Sequence, residues 1–128
     1  MTNKLKTILL VDDEPSWLST MKTVLTESHL SVMTAESGED ALAELQKNKP
    51  DLILCDVRMP IMNGYDVFTK VKEVQSLKTI PFVFMSNFDD FEAKKVAKQM
   101  GADDYVAKPF TVDEVHIVVK DLLKRFEK

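Results

Sequence analysis

A chain of 128 residues with 45% hydrophobic and 30% charged side chains has the make-up of one globular domain able to bury its own core. Its net charge of −4 and pI near 5.2 exclude a general electrostatic pull toward nucleic acid or an anionic membrane surface. A single cysteine, Cys55, excludes an intramolecular disulfide, and the apolar run ending at Val11 is too short for a secretion signal or a membrane span, so a cytoplasmic protein without membrane insertion is expected.

The first apolar run, Lys6–Val11, reads as a strand and leads to a helix with Pro15 in its first turn and a stripe of Trp17/Leu18, Met21, Val24/Leu25 and Ser28. A second run, Leu30–Ala35, precedes Ser37-Gly38-Glu39-Asp40, which resembles a capping box for a helix turning Leu42 and Leu45 inward. The third run, Asp51–Cys55, is followed by Asn63-Gly64, a turn into a helix carrying Val67, Phe68 and Val71. After the fourth run, Ile80–Met85, comes a helix that ends at Met100-Gly101, a glycine C-cap. The fifth, Tyr105–Ala107, precedes Thr111-Val112-Asp113-Glu114, a capping box for a helix with the stripe Val115, Val118/Val119, Leu122 and Phe126.

Short, nearly continuous apolar runs alternating with helical segments predict a parallel α/β sheet with helices on both faces. No repeat or linker interrupts the pattern, so residues 1–128 read as one domain. Such sheets bind ligands at the carboxyl ends of their strands, near the point where strand order reverses.

Those ends carry Asp12-Asp13 after the first strand, Asp56 after the third, Ser86 after the fourth and Lys108-Pro109 after the fifth. Each alone is an ordinary loop or cap residue; their coincidence on one edge of a sheet is not. Three neighbouring carboxylates repel one another unless a cation intervenes. Cys55, His29 and His116 are scattered, so the donors are oxygens, which suit Mg²⁺ or Mn²⁺. A carboxylate can attack phosphorus while the metal and a lysine neutralise the arriving charge. Asp12 and Asp13 are neighbours in an extended segment, so their side chains diverge; one direct metal ligand and one acting through water are expected.

The stretches Ile8–Glu14, Pro50–Gly64, Phe84–Ser86 and Gly101–Phe110, with D-D-E, D-x-x-M-P-x-M-x-G and K-P-F at these intervals, resemble the receiver domain of two-component response regulators. The resemblance covers essentially the whole chain. It implies a flavodoxin-like, doubly wound fold: five parallel strands in the order 2-1-3-4-5, flanked by five helices. It further implies that Asp56 is the phosphoacceptor, Asp13 the direct Mg²⁺ ligand together with Asp56 and the backbone carbonyl of Arg58, and Asp12 an acid working mainly through water. Lys108 is similar to the lysine that pairs with the acceptor and then the phosphoryl group. Ser86 resembles the hydroxyl that moves in to that group, and Tyr105 the aromatic switch that turns inward with it. The Lys108-Pro109 bond is usually cis in the family.

Some residues depart from the family pattern or leave two readings open. Asn87 stands where a small residue, commonly alanine, is usual; it either points to solvent or narrows access to Asp56. Arg58 and Phe88 occupy variable positions flanking the site, and Arg58 either shields a phosphoryl group or lies on the surface. Trp17 and Leu18 are both core, or one is exposed for a docking helix, and Phe91 poses the same question. Lys94, Lys95 and Lys98 form a basic stripe, read as a solvated face ahead of a contact for an acidic partner. Cys55 reads as core.

The expectation is a phosphorylation switch rather than a turnover enzyme, with slow self-dephosphorylation. It would take a phosphoryl group from a histidine kinase or histidine phosphotransfer protein and signal to a protein target through the fourth helix, fifth strand and fifth helix, without direct nucleic-acid contact. The alternatives are the receiver part of a longer regulator with a DNA-binding or enzymatic output, a Mg²⁺-dependent phosphohydrolase on a similar scaffold, and a degenerate receiver working by contact alone. A phosphohydrolase would need a second acid to activate water, which neither Asn87 nor Arg58 supplies.

Overall fold

The computed structural model describes residues 5–108 and 111–126. Strands and helices alternate without exception: β1 (Thr7–Val11), α1 (Pro15–Glu27), β2 (Ser31–Ala35), α2 (Gly38–Lys47), β3 (Leu52–Asp56), α3 (Gly64–Lys72), β4 (Phe82–Asn87), α4 (Phe91–Met100), β5 (Asp104–Lys108) and α5 (Val112–Arg125). The strands form one parallel sheet in the order β2-β1-β3-β4-β5, as the resemblance implied. The apolar runs overshoot some strand starts. Ile80 is buried, yet its N–H bonds to Leu77 in the preceding turn, and Pro81 has no N–H to offer, so β4 begins at Phe82.

The apolar strands bury both faces because alternate residues point to opposite sides of the sheet. Leu9, Val11, Ile53, Cys55, Phe82 and Phe84 pack against α2, α3 and α4, meeting Ala41, Leu45, Val67, Phe68, Val71, Ala93 and Ala97. Ile8, Leu10, Leu52, Leu54, Val83 and Met85 face the other way onto α1 and α5, meeting Leu18, Met21, Leu25, Val119 and Leu122. The first of these layers is knit by Phe68 edge-on to Phe82 with ring centroids 5.1 Å apart, and by Tyr65 edge-on to Phe84 at 5.4 Å.

The helix ends follow the sequence signals. Ser37 accepts from the Asp40 N–H, Asn63 and Asp66 form a reciprocal capping box, and Thr111 accepts from the Glu114 N–H. Gly101 closes α4 in the left-handed region, at φ 82°. In α2 the buried positions are Gly38, Ala41 and Leu45, while Leu42 is half-buried against the same core. Two expectations, the burial of Val115 and the geometry of the Lys108-Pro109 bond, lie outside the described residues and side chains.

This topology places the reversal of strand order between β1 and β3, and the carboxyl ends of β1, β3, β4 and β5 at one edge. Backbone bonds continue the ladders past the strand ends there, from the Asp12 N–H to the Ala35 carbonyl at 3.1 Å and from the Val57 N–H to Met85 at 2.9 Å. Gly64 opens α3 directly behind Asp56: a Cβ at position 64 would fall 2.4 Å from the Asp56 carbonyl oxygen and 3.0 Å from Val57 Cα. Only glycine lets the helix approach so closely.

Candidate functional site

At the ends of β1 and β3, a carboxylate oxygen from each of Asp12, Asp13 and Asp56 lies within 4.8 Å of the others. Asp12 is fully buried and Asp13 exposed, while Asp56 is 6% exposed. Lys108, from the end of β5, reaches in between them. Its ammonium lies 2.5 Å from Asp12 Oδ2, 3.8 Å from Asp56 Oδ1 and 3.8 Å from Glu14 Oε1. The other Asp12 oxygen, Oδ1, accepts the Glu14 N–H at 3.0 Å. Above this group the Trp17 ring covers the lysine, with Nζ 4.8 Å from the ring centroid.

The acids are crowded beyond what one lysine offsets. Burial, reinforced by the charges of Asp12 and Asp13, pushes the Asp56 carboxyl up to about 7, against the pull of Lys108 and the Arg58 N–H. Burial also raises Asp12, with Lys108 opposing it. Three hard oxygen donors with surplus negative charge and one solvent-facing member fit a small divalent cation completed by water and phosphate oxygens.

A second network stands at the end of β4. Ser86, 1% exposed, donates from Oγ to Asp90 Oδ2 at 2.6 Å. Asp90 caps α4 by accepting the Ala93 N–H and is gripped on both oxygens by the Arg58 guanidinium, at 2.8 and 3.0 Å. Tyr105 is half-buried, its hydroxyl 3.5 Å from the Asn87 carbonyl. Asn87 itself is exposed.

A family model described as the response regulator receiver domain matches residues 8–120. The chain belongs to that family. Receivers are signalling proteins of two-component systems rather than turnover enzymes, and they work with histidine kinases and downstream effectors. The chain is 37% identical over 122 residues to the alkaline phosphatase synthesis transcriptional regulatory protein PhoP of Bacillus subtilis, covering 95% of this receiver and 50% of that protein. Chemotaxis protein CheY4 of Vibrio cholerae superposes with a TM-score of 0.84 at 29% identity, covering 92% of this receiver and 98% of that chain. NtrX of Brucella abortus gives 0.88 at 25% identity, with 97% of this receiver covering 28% of that chain. The receiver thus spans about half the length of the curated relative it matches. Among the described residues, no helix is long and apolar enough to cross a membrane.

The receiver brings Asp12, Asp13, Asp56 and Lys108 together as expected, but Lys108 sits closer to Asp12 than to Asp56. Ser86 and Tyr105 are neighbours, with Ser86 turned to Asp90. Arg58 lies on the surface, where its side chain is paired with Asp90 rather than reaching into the acidic group. Leu18 is core and Trp17 is half-buried over Lys108, while Phe91 is 76% and Phe88 71% exposed. Lys94, Lys95 and Lys98 are exposed on α4, and Cys55 is fully buried, its thiol pushed up by burial. Sequence reading missed Asp90. Its only signal was an Asp in N-cap position before an amphipathic helix, four residues after Ser86.

Proposed function

We propose that this receiver is a phosphorylation switch in which the Asp56 carboxylate accepts a phosphoryl group from a phosphohistidine of a histidine kinase or histidine phosphotransfer protein. The observation that carries this reading is the juxtaposition of Asp56 with two further carboxylates and the Lys108 ammonium at the strand ends. An Asp56 oxygen forms a bond to phosphorus as the phosphorus–nitrogen bond breaks, and the electron pair returns to the imidazole nitrogen. Lys108 lies close enough to Asp56 to follow the added charge, and its contact with Asp12 keeps that buried acid paired meanwhile.

Mg²⁺ (or Mn²⁺) would be held by Asp13, Asp56 and the backbone carbonyl of Arg58, with Asp12 contributing through water. In support, Asp13 faces solvent whereas both Asp12 oxygens are engaged, by Lys108 and by the Glu14 N–H. When bound, the ion supplies positive charge where the phosphoryl oxygens arrive.

Once formed, the phosphoryl group carries roughly −1.5 to −2 charges. It favours the arrangement in which the Ser86 hydroxyl turns toward it and Tyr105 follows, a population shift between two states. The signal would leave through α4, β5 and α5, where Phe91, Lys94, Lys95, Lys98 and Ile117 are exposed. The acyl phosphate would hydrolyse slowly in place, and the setting would be cytoplasmic, in line with a single buried cysteine. A second reading, carried by the 50% coverage of the transcriptional regulator, is that the receiver controls an output domain of that kind.

The test uses Trp17, whose ring lies against Lys108. Its fluorescence should change on adding Mg²⁺ and again on adding a small acyl-phosphate donor. A second change that persists unaltered in Asp56→Asn would overturn the reading.

A further inference from the structure

Ser86 has one hydroxyl proton, and here it goes to Asp90 Oδ2, at 2.6 Å. An ionised carboxylate only accepts hydrogen bonds, and the same holds for the oxygens of a phosphoryl dianion. For Ser86 to serve a phosphoryl group on Asp56, its proton must leave Asp90. Two acceptors therefore compete for a single donor.

Asp90 is built to compete well. Oδ2 also accepts from Arg58 Nε at 2.8 Å, while Oδ1 accepts from Arg58 Nη2 at 3.0 Å and from the Ala93 N–H at 3.1 Å. Four donors on one carboxylate fill its acceptor sites and fix its orientation. Chiefly through Arg58, they hold the Asp90 carboxyl well below the usual carboxylate range, so it stays an ionised acceptor near neutral pH. Arg58 also reaches toward Glu92, at 3.7 Å, in the first turn of α4. The clamp thus ties the loop that follows Asp56 to the start of α4 across the end of β4. With the Arg58 side chain 53% exposed, the pair is screened by water and can yield.

We propose that Asp90, clamped by Arg58, is the positioning residue that holds the Ser86 hydroxyl away from Asp56 and sets how readily the receiver passes to its phosphorylated conformation. This rests on the reading of Asp56 as the acceptor and Ser86 as the phosphoryl partner. Because Asp90 is also the N-cap of α4, release of Ser86 is felt in the first turn of the helix that bears exposed Phe91.

The experiment titrates the full chain, in Mg²⁺, with beryllofluoride as a non-covalent phosphoryl mimic, and reads Trp17 fluorescence. Asp90→Ser keeps a capping side chain for α4 while removing the carboxylate that holds Ser86. It should tighten the apparent affinity about fivefold, because less of the protein is held in the wrong state. Arg58→Gln leaves Asp90 in place without its bidentate clamp and should tighten it about twofold. Both gains should vanish in a Ser86→Ala background. That background separates competition for the Ser86 proton from the simple loss of negative charge near an anion, and from a freed Arg58 reaching the ligand. Gains of equal size in Ser86→Ala, or no gain in either variant, would overturn the proposal. A beryllofluoride response that survives Asp56→Asn would overturn the underlying assignment of the acceptor instead.

Discussion

The Lys108 ammonium lies 2.5 Å from a carboxylate oxygen of Asp12, with side-chain exposures of 8% and 0%. Removing one partner of a buried pair strands the other, typically at a cost of about 3 kcal/mol or more. Lys108→Met should therefore destabilise the metal-free protein by about 3 kcal/mol near neutral pH. Without the lysine, Asp12 is pushed further toward its protonated form, so the deficit should shrink at pH 5. Added Mg²⁺ should also reduce it. Urea unfolding at both pH values, with and without Mg²⁺, checks this; an equal loss under all conditions would contradict it.

Asp56 shapes stability through its own titration. Its carboxyl is pushed from 3.8 in the unfolded reference to about 7 in the fold, chiefly by burial. Between those values the folded state holds the proton more tightly than the unfolded chain, so stability falls as pH rises through the window. Asp12, also raised, adds in the same direction. Asp56→Asn should be more stable than the parent above pH 7 and should show a shallower decline across the window. Thermal melts of the metal-free proteins from pH 4.5 to 8 measure it, and a parent that gains stability across that range would contradict the prediction.

Gly64 is required by its distance from the backbone behind Asp56. A Cβ there would sit 2.4 Å from the Asp56 carbonyl oxygen, a contact no side-chain motion can relieve. Gly64→Ala should cost about 2 kcal/mol or more, despite alanine's better helix propensity. The displaced Asp56 backbone should also slow phosphorylation. Denaturant unfolding together with the rate of the Trp17 signal tests both parts.

Ile61 offers the opposite case. Its backbone is left-handed, at φ 68°, and Met62 N–H bonds back to the Pro60 carbonyl at 2.7 Å in a three-residue turn. A β-branched residue is strained there, and at 95% exposure it has little packing to lose. Ile61→Gly, which has no Cβ to strain at positive φ, should stabilise the protein, readable as a raised melting temperature.

Much of this could be read from the order of residues. Nearly continuous apolar runs alternating with helical segments gave an α/β chain, and the rule that chemistry gathers at strand ends singled out Asp12, Asp13, Asp56, Ser86 and Lys108. Caps at Ser37, Gly101 and Thr111 were legible because each is a local motif spanning a few residues, whereas Asn63, read as a turn, proved to be the cap of α3. What could not be read depends on contacts between distant loops or on small displacements. Arg58 and Asp90 are 32 residues apart and meet only because β3 and β4 are neighbours. Trp17 and Leu18 share one stripe, so helical period could not tell which one lies in the core and which covers Lys108. The preference of Lys108 for Asp12 over Asp56 is a matter of 1.3 Å (3.8 − 2.5 Å), a difference that residue type alone does not set. Exposed Phe91 looks like any apolar residue opening a helix until the core beneath α4 is seen to be filled by Ala93 and Ala97.

The central claim is that Asp56 is the residue that takes the phosphoryl group. The most direct measurement is to incubate the protein with Mg²⁺ and a small acyl-phosphate donor, then locate the modification by mass spectrometry after reductive trapping of the acyl phosphate. A single modification on Asp56, absent without the metal and absent in Asp56→Asn, is the predicted result. Modification at another residue, or an undiminished signal in Asp56→Asn, would contradict the account.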